Sequence, residues 1–178
     1  SNISTDEESF VETIKEITSE FILKKENERH IHILSEISGF EKLLKYLLET
    51  VSVNNKIIDI MTPNYDRIIE IICDKLGIPT TLGFNGNLYQ TFNENILKQP
   101  YDFFSKNTPV VRIFKPHGSI NWIKKDNKEY QINDYNLLKS NKHNIDIITP
   151  GGMKYKFSMI NSIFRCHREI FNEIITDS

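Results

Sequence analysis

Lys56-Ile57-Ile58-Asp59-Ile60-Met61-Thr62-Pro63-Asn64-Tyr65-Asp66 is the stretch on which the fold turns. Its first half is almost wholly apolar and β-branched, without polar alternation. Such a run predicts a strand at 56–62 covered on both faces, as in a parallel sheet. Pro63 keeps the residue before it out of helical conformation. A helix then starts at Asn64 or Tyr65. Ile68, Ile69, Ile72, Cys73 and Leu76 form its buried side, and Gly77 with Pro79 ends it. Further along, Val110-Val111-Arg112-Ile113-Phe114 repeats the pattern and runs into Lys115-Pro116-His117-Gly118-Ser119. Both strands stop at polar, reactive side chains. In open α/β sheets, ligands bind outside the carboxyl ends of the strands.

Working upstream, residues 5–25 read as a helix. Thr5 and Glu8 have the spacing of a capping box, and Phe10, Ile14, Ile17, Phe21 and Ile22 recur at helical intervals. The polar run Lys24–Arg29 breaks or turns the chain. His30 and His32 follow in a polar connection, alternating with apolar residues, and read as surface. A second helix spans Ser38 or Gly39 to about Thr50, with Leu43, Leu44, Leu47 and Leu48 on one face. Downstream, Thr80–Gln99 is loop-rich, with glycines at 83 and 86. Ser119–Lys124 is a short strand carrying Trp122, and 133–140 a short helix. Ile145–Thr149 is a third strand, ended by Pro150-Gly151-Gly152. A long amphipathic helix covers 157–175, with Met159, Ile160, Ile163, Phe164, Ile170, Phe171 and Ile174 facing inward. Strand and helix alternate, which predicts an α/β fold with a mainly parallel sheet flanked by helices. The expected organisation is a single domain over 1–178, a helical N-terminal part at 1–35 leading into a core at 36–178.

Composition narrows the classes. Charged residues make up 26% and hydrophobic ones 39%, which fits an ordinary globular domain with a real core. The net charge is −2 and the basic residues are scattered, so direct nucleic-acid binding is not expected. No apolar run approaches the ~20 residues needed to span a bilayer. Cys73 and Cys166 lie far apart and form no Cys-x-x-Cys pair; Cys73 reads as a small core residue. A reducing cytoplasm suits them.

Taken together, Thr62-Pro63-Asn64-Tyr65-Asp66 is similar to the Thr-x-Asn-(Tyr/Ile)-Asp motif of the sirtuin superfamily. Lys115-Pro116-His117-Gly118-Ser119 resembles that family's His-Gly catalytic motif, in the form found in its sirtuin-like branch. Ile147-Ile148-Thr149-Pro150 ahead of the last helix also fits that branch, and the resemblance spans about residues 36–178. It implies a Rossmann-like, incomplete sirtuin-like domain. The family opens on a strand and a Gly-Ala-Gly-x-Ser loop that cradles the NAD pyrophosphate. The seven glycines of this chain begin at Gly39 and form no Gly-x-Gly. The family also continues past the last helix. The chain therefore reads as truncated at both ends, and by itself is expected to bind NAD poorly. Protein-deacylating sirtuins carry two Cys-x-x-Cys pairs on zinc, which two isolated cysteines do not supply. The resemblance is to the zinc-free branch, many of whose members are NAD-consuming effectors of antiphage systems, fused to other domains.

The implied activity is NAD glycohydrolysis, giving nicotinamide and ADP-ribose. NAD is the substrate, and further domains or a homo-oligomer the expected partners. His117 is the candidate base: an unperturbed imidazole titrates at about 6.5 and takes a proton from an oxygen nucleophile near working pH. Asn64 orients the attacking water or bonds the ribose, or caps the helix that begins there; the two roles are compatible. Asp66 accepts from the nicotinamide amide, or stabilises the first helical turn. Thr62, Gly118 and Ser119 complete the expected cofactor-binding set, with Gly118 leaving room for close ligand approach. Tyr65 and Trp122 read as packing, with adenine stacking a second role for Trp122, and His143 and His167 as exposed. A non-catalytic NAD or ADP-ribose-binding or oligomerisation module remains an alternative, with lysine deacylation behind it.

Overall fold

The computed structural model describes residues 5–51, 56–149 and 161–176. The chain runs through α1 (Thr5–Ser35), α2 (Gly39–Thr50), β1 (Ile57–Met61), α3 (Ile68–Leu76), β2 (Thr80–Thr81), β3 (Phe84–Asn85), β4 (Gln90–Phe92) and α4 (Glu94–Lys98). It continues through β5 (Val110–Phe114), β6 (Gly118–Lys125), β7 (Lys128–Gln131), α5 (Tyr135–Ser140), β8 (Ile145–Ile147) and α6 (Ser162–Thr176). Among the described residues, no helix is long and apolar enough to cross a membrane.

The strands form two sheets. The parallel one has three strands in the order β1-β5-β2. The other has five strands, β3-β4-β7-β6-β8, all antiparallel. The fold is thus mixed α/β, and the expectation of a mainly parallel sheet is corrected: the parallel part is the smaller. Ile145–Ile147, expected beside the other inner strands, pairs antiparallel with β6 instead.

β5 is buried at every residue because both of its faces are covered. Val111 and Ile113 enter one cluster with Ile58 of β1, Leu44 of α2, and Ile72 and Cys73 of α3. Phe114 enters another with Leu97 of α4 and Ile170 of α6. On this second side the guanidinium of Arg112 donates to both carboxylate oxygens of Asp59, its register partner on β1, and to the Leu97 carbonyl. A third cluster lies against the antiparallel sheet: Leu23 of α1 packs with Ile120, Ile123, Ile132, Leu138, Ile145 and Ile147.

Several local expectations change. The chain does not break at Lys24–Arg29; α1 is continuous over 31 residues. Lys24 and Lys25 both pair with Glu28 across a helical turn, and the carboxylate of Glu26 turns inward to Arg67. His30 and His32 are therefore exposed helical residues, not part of a connection or strand. Of the residues that recur at helical spacing, Phe10, Ile17 and Phe21 are exposed. Thr80–Gln99 carries three short strands and α4, and buries Leu82, Ile96 and Leu97. α3 begins at Ile68, not at Asn64 or Tyr65, so Asn64 is not its cap, and Ile68 is 41% exposed. Gly77 does end α3, with a left-handed φ of 66°. Leu44 of α2 is buried while Leu43 is half exposed. The side chains of Thr5 and Glu8, and the residues Pro150-Gly151-Gly152, Met159 and Ile160, lie outside the described residues.

Candidate functional site

The two motif segments follow neighbouring parallel strands and are stitched to one another. The Thr62 amide donates to the Phe114 carbonyl at 2.9 Å, extending the β1–β5 ladder by one bond. Thr62 is buried, and its hydroxyl oxygen accepts from the Asn64 amide at 3.1 Å, which turns the chain. The Tyr65 carbonyl then accepts from the Ile120 amide at 2.9 Å and from the Ser119 hydroxyl at 3.2 Å. The Tyr65 hydroxyl donates to the Ile148 carbonyl, and its ring packs on the cluster beside the antiparallel sheet. Tyr65 is a packing residue, as expected.

The second segment is the junction of the two sheets. β5 ends at Phe114, a turn closes with the Gly118 amide donating to the Lys115 carbonyl at 3.1 Å, and β6 starts at once. Gly118 has φ 87°, and a Cβ there would stand 2.4 Å from the Asp146 carbonyl oxygen and 3.0 Å from the Cα of Ile147. The close approach that requires glycine is made by β8; the space expected to admit a ligand there is filled by backbone. His117, on the turn, is half-buried, and its carbonyl accepts from the Ile148 amide at 2.9 Å.

Beneath the turn lies a charge that sequence reasoning passed over. Lys115 is fully buried. Its ammonium donates to the Asp66 carbonyl and to the Ser119 hydroxyl at 3.1 Å, and stands 2.7 Å from Glu70 Oε1 of α3. The buried carboxylate oxygens of Glu70 have this ion pair and no further hydrogen-bond partner. Lys115 thereby fastens the loop after β1, the turn after β5 and the first turn of α3 to a single point. The signal was present in the sequence: a lysine directly after a strand with four apolar residues in five, and before a proline, has no easy route to water.

His167 is the second omission. It was expected to be exposed and is fully buried. It lies on the inward stripe of α6, three residues after Phe164 and three before Ile170, and that spacing is the missed signal. Its Nδ1 accepts from the Lys115 amide at 3.2 Å, so the proton of the neutral ring is on Nε2. Burial pushes its pKa down to about 3. Trp122 contacts the same ring, with centroids 4.9 Å apart, and is itself enclosed by Phe84 and Phe164. The Trp122 indole N–H donates to Gln131 Oε1 at 3.2 Å, so Trp122 is core packing and no face is left for adenine.

Of the expected site residues, Asn64 and His117 stand at the carboxyl ends of adjacent parallel strands, Asn64 exposed and His117 half-buried. Asp66 is half-buried, and its Oδ1 accepts from the Ile68 amide at 3.1 Å at the start of α3. Thr62 and Ser119 are buried within the loops they brace. A polar cavity of about 450 Å³ is lined by Arg67, Glu70, Thr81, Asn121, Gln131 and neighbours; neither His117 nor Asn64 lines it. Among the described residues, no three His, Cys, Asp or Glu side chains gather so as to hold a metal ion. The structure defines a mixed α/β protein with two polar loops bound together at one end of a short parallel sheet. No protein-family model matches the chain, and no curated protein does.

Proposed function

We propose that this chain is the core of a sirtuin-like NAD glycohydrolase of the zinc-free branch, working in the cytoplasm as the effector of a prokaryotic antiphage defence protein. One observation supports the reading above others. The loops carrying Asn64 and His117 are held against each other by the Tyr65–Ile120 and Thr62–Phe114 backbone bonds and by Lys115, at the strand ends where α/β sheets bind ligands.

In this reaction water adds to the ribose carbon that bears nicotinamide. The glycosidic C–N bond breaks, and its electron pair passes to the pyridinium nitrogen. Nicotinamide leaves neutral, so no general acid is needed. His117 takes the proton of the water, and Asn64 orients that water through its carboxamide. The test is chromatography of NAD incubated with the complete protein and its partners. Turnover is expected to fall about 10²–10⁴-fold in His117→Ala, with a clear fall in Asn64→Ala as well. Equal nicotinamide release by wild type and both variants would remove the proposal.

A second reading of the same loops is nucleotide binding without catalysis. It calls for saturable calorimetric binding of ADP-ribose with no nicotinamide release.

A further inference from the structure

α1 meets its own domain along the side that carries Ser19, Leu23 and Glu26, all buried. On the opposite side of the helix, Phe10, Ile17 and Phe21 are 66%, 60% and 60% exposed, and Ile14, half-buried, falls on the same stripe. An apolar line facing water, while the packed side mixes Leu23 with serine and glutamate, is apolar surface that the monomer's own folding does not bury.

The line has the four-three-four spacing of a coiled-coil seam, Phe10-Ile14-Ile17-Phe21. It reads the same from both ends. A two-fold axis placed between Ile14 and Ile17 sets Phe10 on Phe21 of a second copy and Ile14 on Ile17. The next seam position beyond each phenylalanine is Glu7 on one side and Lys24 on the other. The same axis sets Glu7 opposite Lys24 at both ends. A parallel pairing in register would instead place Lys24 on Lys24 and Glu7 on Glu7. Lys24 is open to such a partner: its side chain is 70% exposed, and its pairing with Glu28 within the helix is at 4.0 Å. Charges at seam positions are the usual device for choosing register and direction.

We propose that α1 is a homodimerisation helix, packed antiparallel on α1 of a second copy through Phe10, Ile14, Ile17 and Phe21, with Glu7–Lys24 pairs closing the two ends. This is independent of the NAD reading. Sedimentation of the chain over a wide range of concentration tests it. Wild type is a dimer. Phe21→Glu forces a carboxylate into the seam and raises the dissociation constant about tenfold or more. Lys24→Glu weakens the dimer by like-charge contact, and the double exchange Glu7→Lys/Lys24→Glu restores it. Phe21 and Lys24 are exposed, so unchanged melting of the dilute variants shows that the monomer fold is intact. A wild type that stays monomeric, a dimer indifferent to Phe21→Glu, or a double exchange no tighter than Lys24→Glu alone would each overturn the proposal.

Discussion

His167 and Lys115 show how two buried polar residues fix one turn. The imidazole accepts the Lys115 amide from one side, and the Lys115 ammonium reaches the Asp66 carbonyl, Ser119 and Glu70 on the other. A charged imidazole at this position would lose its acceptor nitrogen and face the lysine's charge with both side chains fully buried. Burial is the largest cause of the fall in the His167 pKa to about 3, the Leu82 backbone acts against it, and Lys115 adds to it. The sign follows directly. Between the unfolded value of about 6.5 and the folded value near 3, the unfolded chain binds the extra proton, so stability is complete above that window and falls as the pH drops through it. The slope approaches about 1.4 kcal/mol per pH unit well inside the window. Asp146, Asp74 and Glu129 have carboxyl groups raised by burial and work in the opposite direction. Comparison of variants cancels them. His167→Asn keeps an acceptor for the Lys115 amide and removes the titration. Thermal melts from pH 7 to pH 4 are expected to show a smaller loss of melting temperature for His167→Asn than for wild type. Parallel curves would mean that another group governs the acid limb.

α1 illustrates how an element is held by a side chain that local pattern misreads. Glu26 is buried, and its carboxylate accepts from the Arg67 backbone amide at 2.5 Å and from the guanidinium at 2.6 and 2.7 Å. This joins α1 to the residue that precedes α3, next to the Asn64–Asp66 loop. Glu26→Ala strands a largely buried guanidinium, and is expected to lower stability by about 3–5 kcal/mol, measured by urea unfolding. A loss below about 1 kcal/mol would make the pair an ordinary surface one. The sequence offered only a polar run at this point, and the partner forty-one residues away was not visible in it. The same division holds elsewhere. β1, β5, α2 and the Gly77 stop were legible because each depends on its own residues: a largely apolar, β-branched run with one charged residue at its centre, a helical face, a left-handed glycine. The hairpin of β6 and β7 was legible in principle, since Asp126 and Asn127 both take positive φ of 51° and 57° in the two-residue turn that such residues favour. The partners of β2, β3 and β8 were not, because two- and three-residue strands carry no period and their pairing is set by distant chain. Of the candidate site, the loops at the strand ends were legible. The buried lysine beneath them and the histidine behind them belong to tertiary packing.

At the scale of the whole molecule, the parallel and antiparallel sheets meet at the Lys115–Gly118 turn, and the clusters on either side of β5 share that one strand. The core is therefore expected to open as a unit, and the two cysteines report on it. Cys73 is fully buried against β5, and burial first, with Glu70 and Asp74 nearby, pushes its thiol up to about 12. Cys166 is half-buried beside Glu94, and its thiol is held at about 11. An unfolded cysteine titrates at about 8.5, so unfolding turns each from almost wholly protonated to reactive at pH 8. Iodoacetamide labelling across a urea series, read residue by residue by mass spectrometry, separates local from global opening. Cys166 is expected to react first, at urea concentrations below the main transition, because α6 lies at the margin and needs only a local movement to expose it. Cys73 is expected to react along the same curve as the loss of circular dichroism, since no smaller motion uncovers α3 from β5. Labelling of Cys73 in the absence of urea at the rate of Cys166 would show that α3 detaches by itself. In that case the loop ahead of it, with Asn64 and Asp66, would move independently of the His117 turn, and the shared anchoring at Lys115 would not hold the two together.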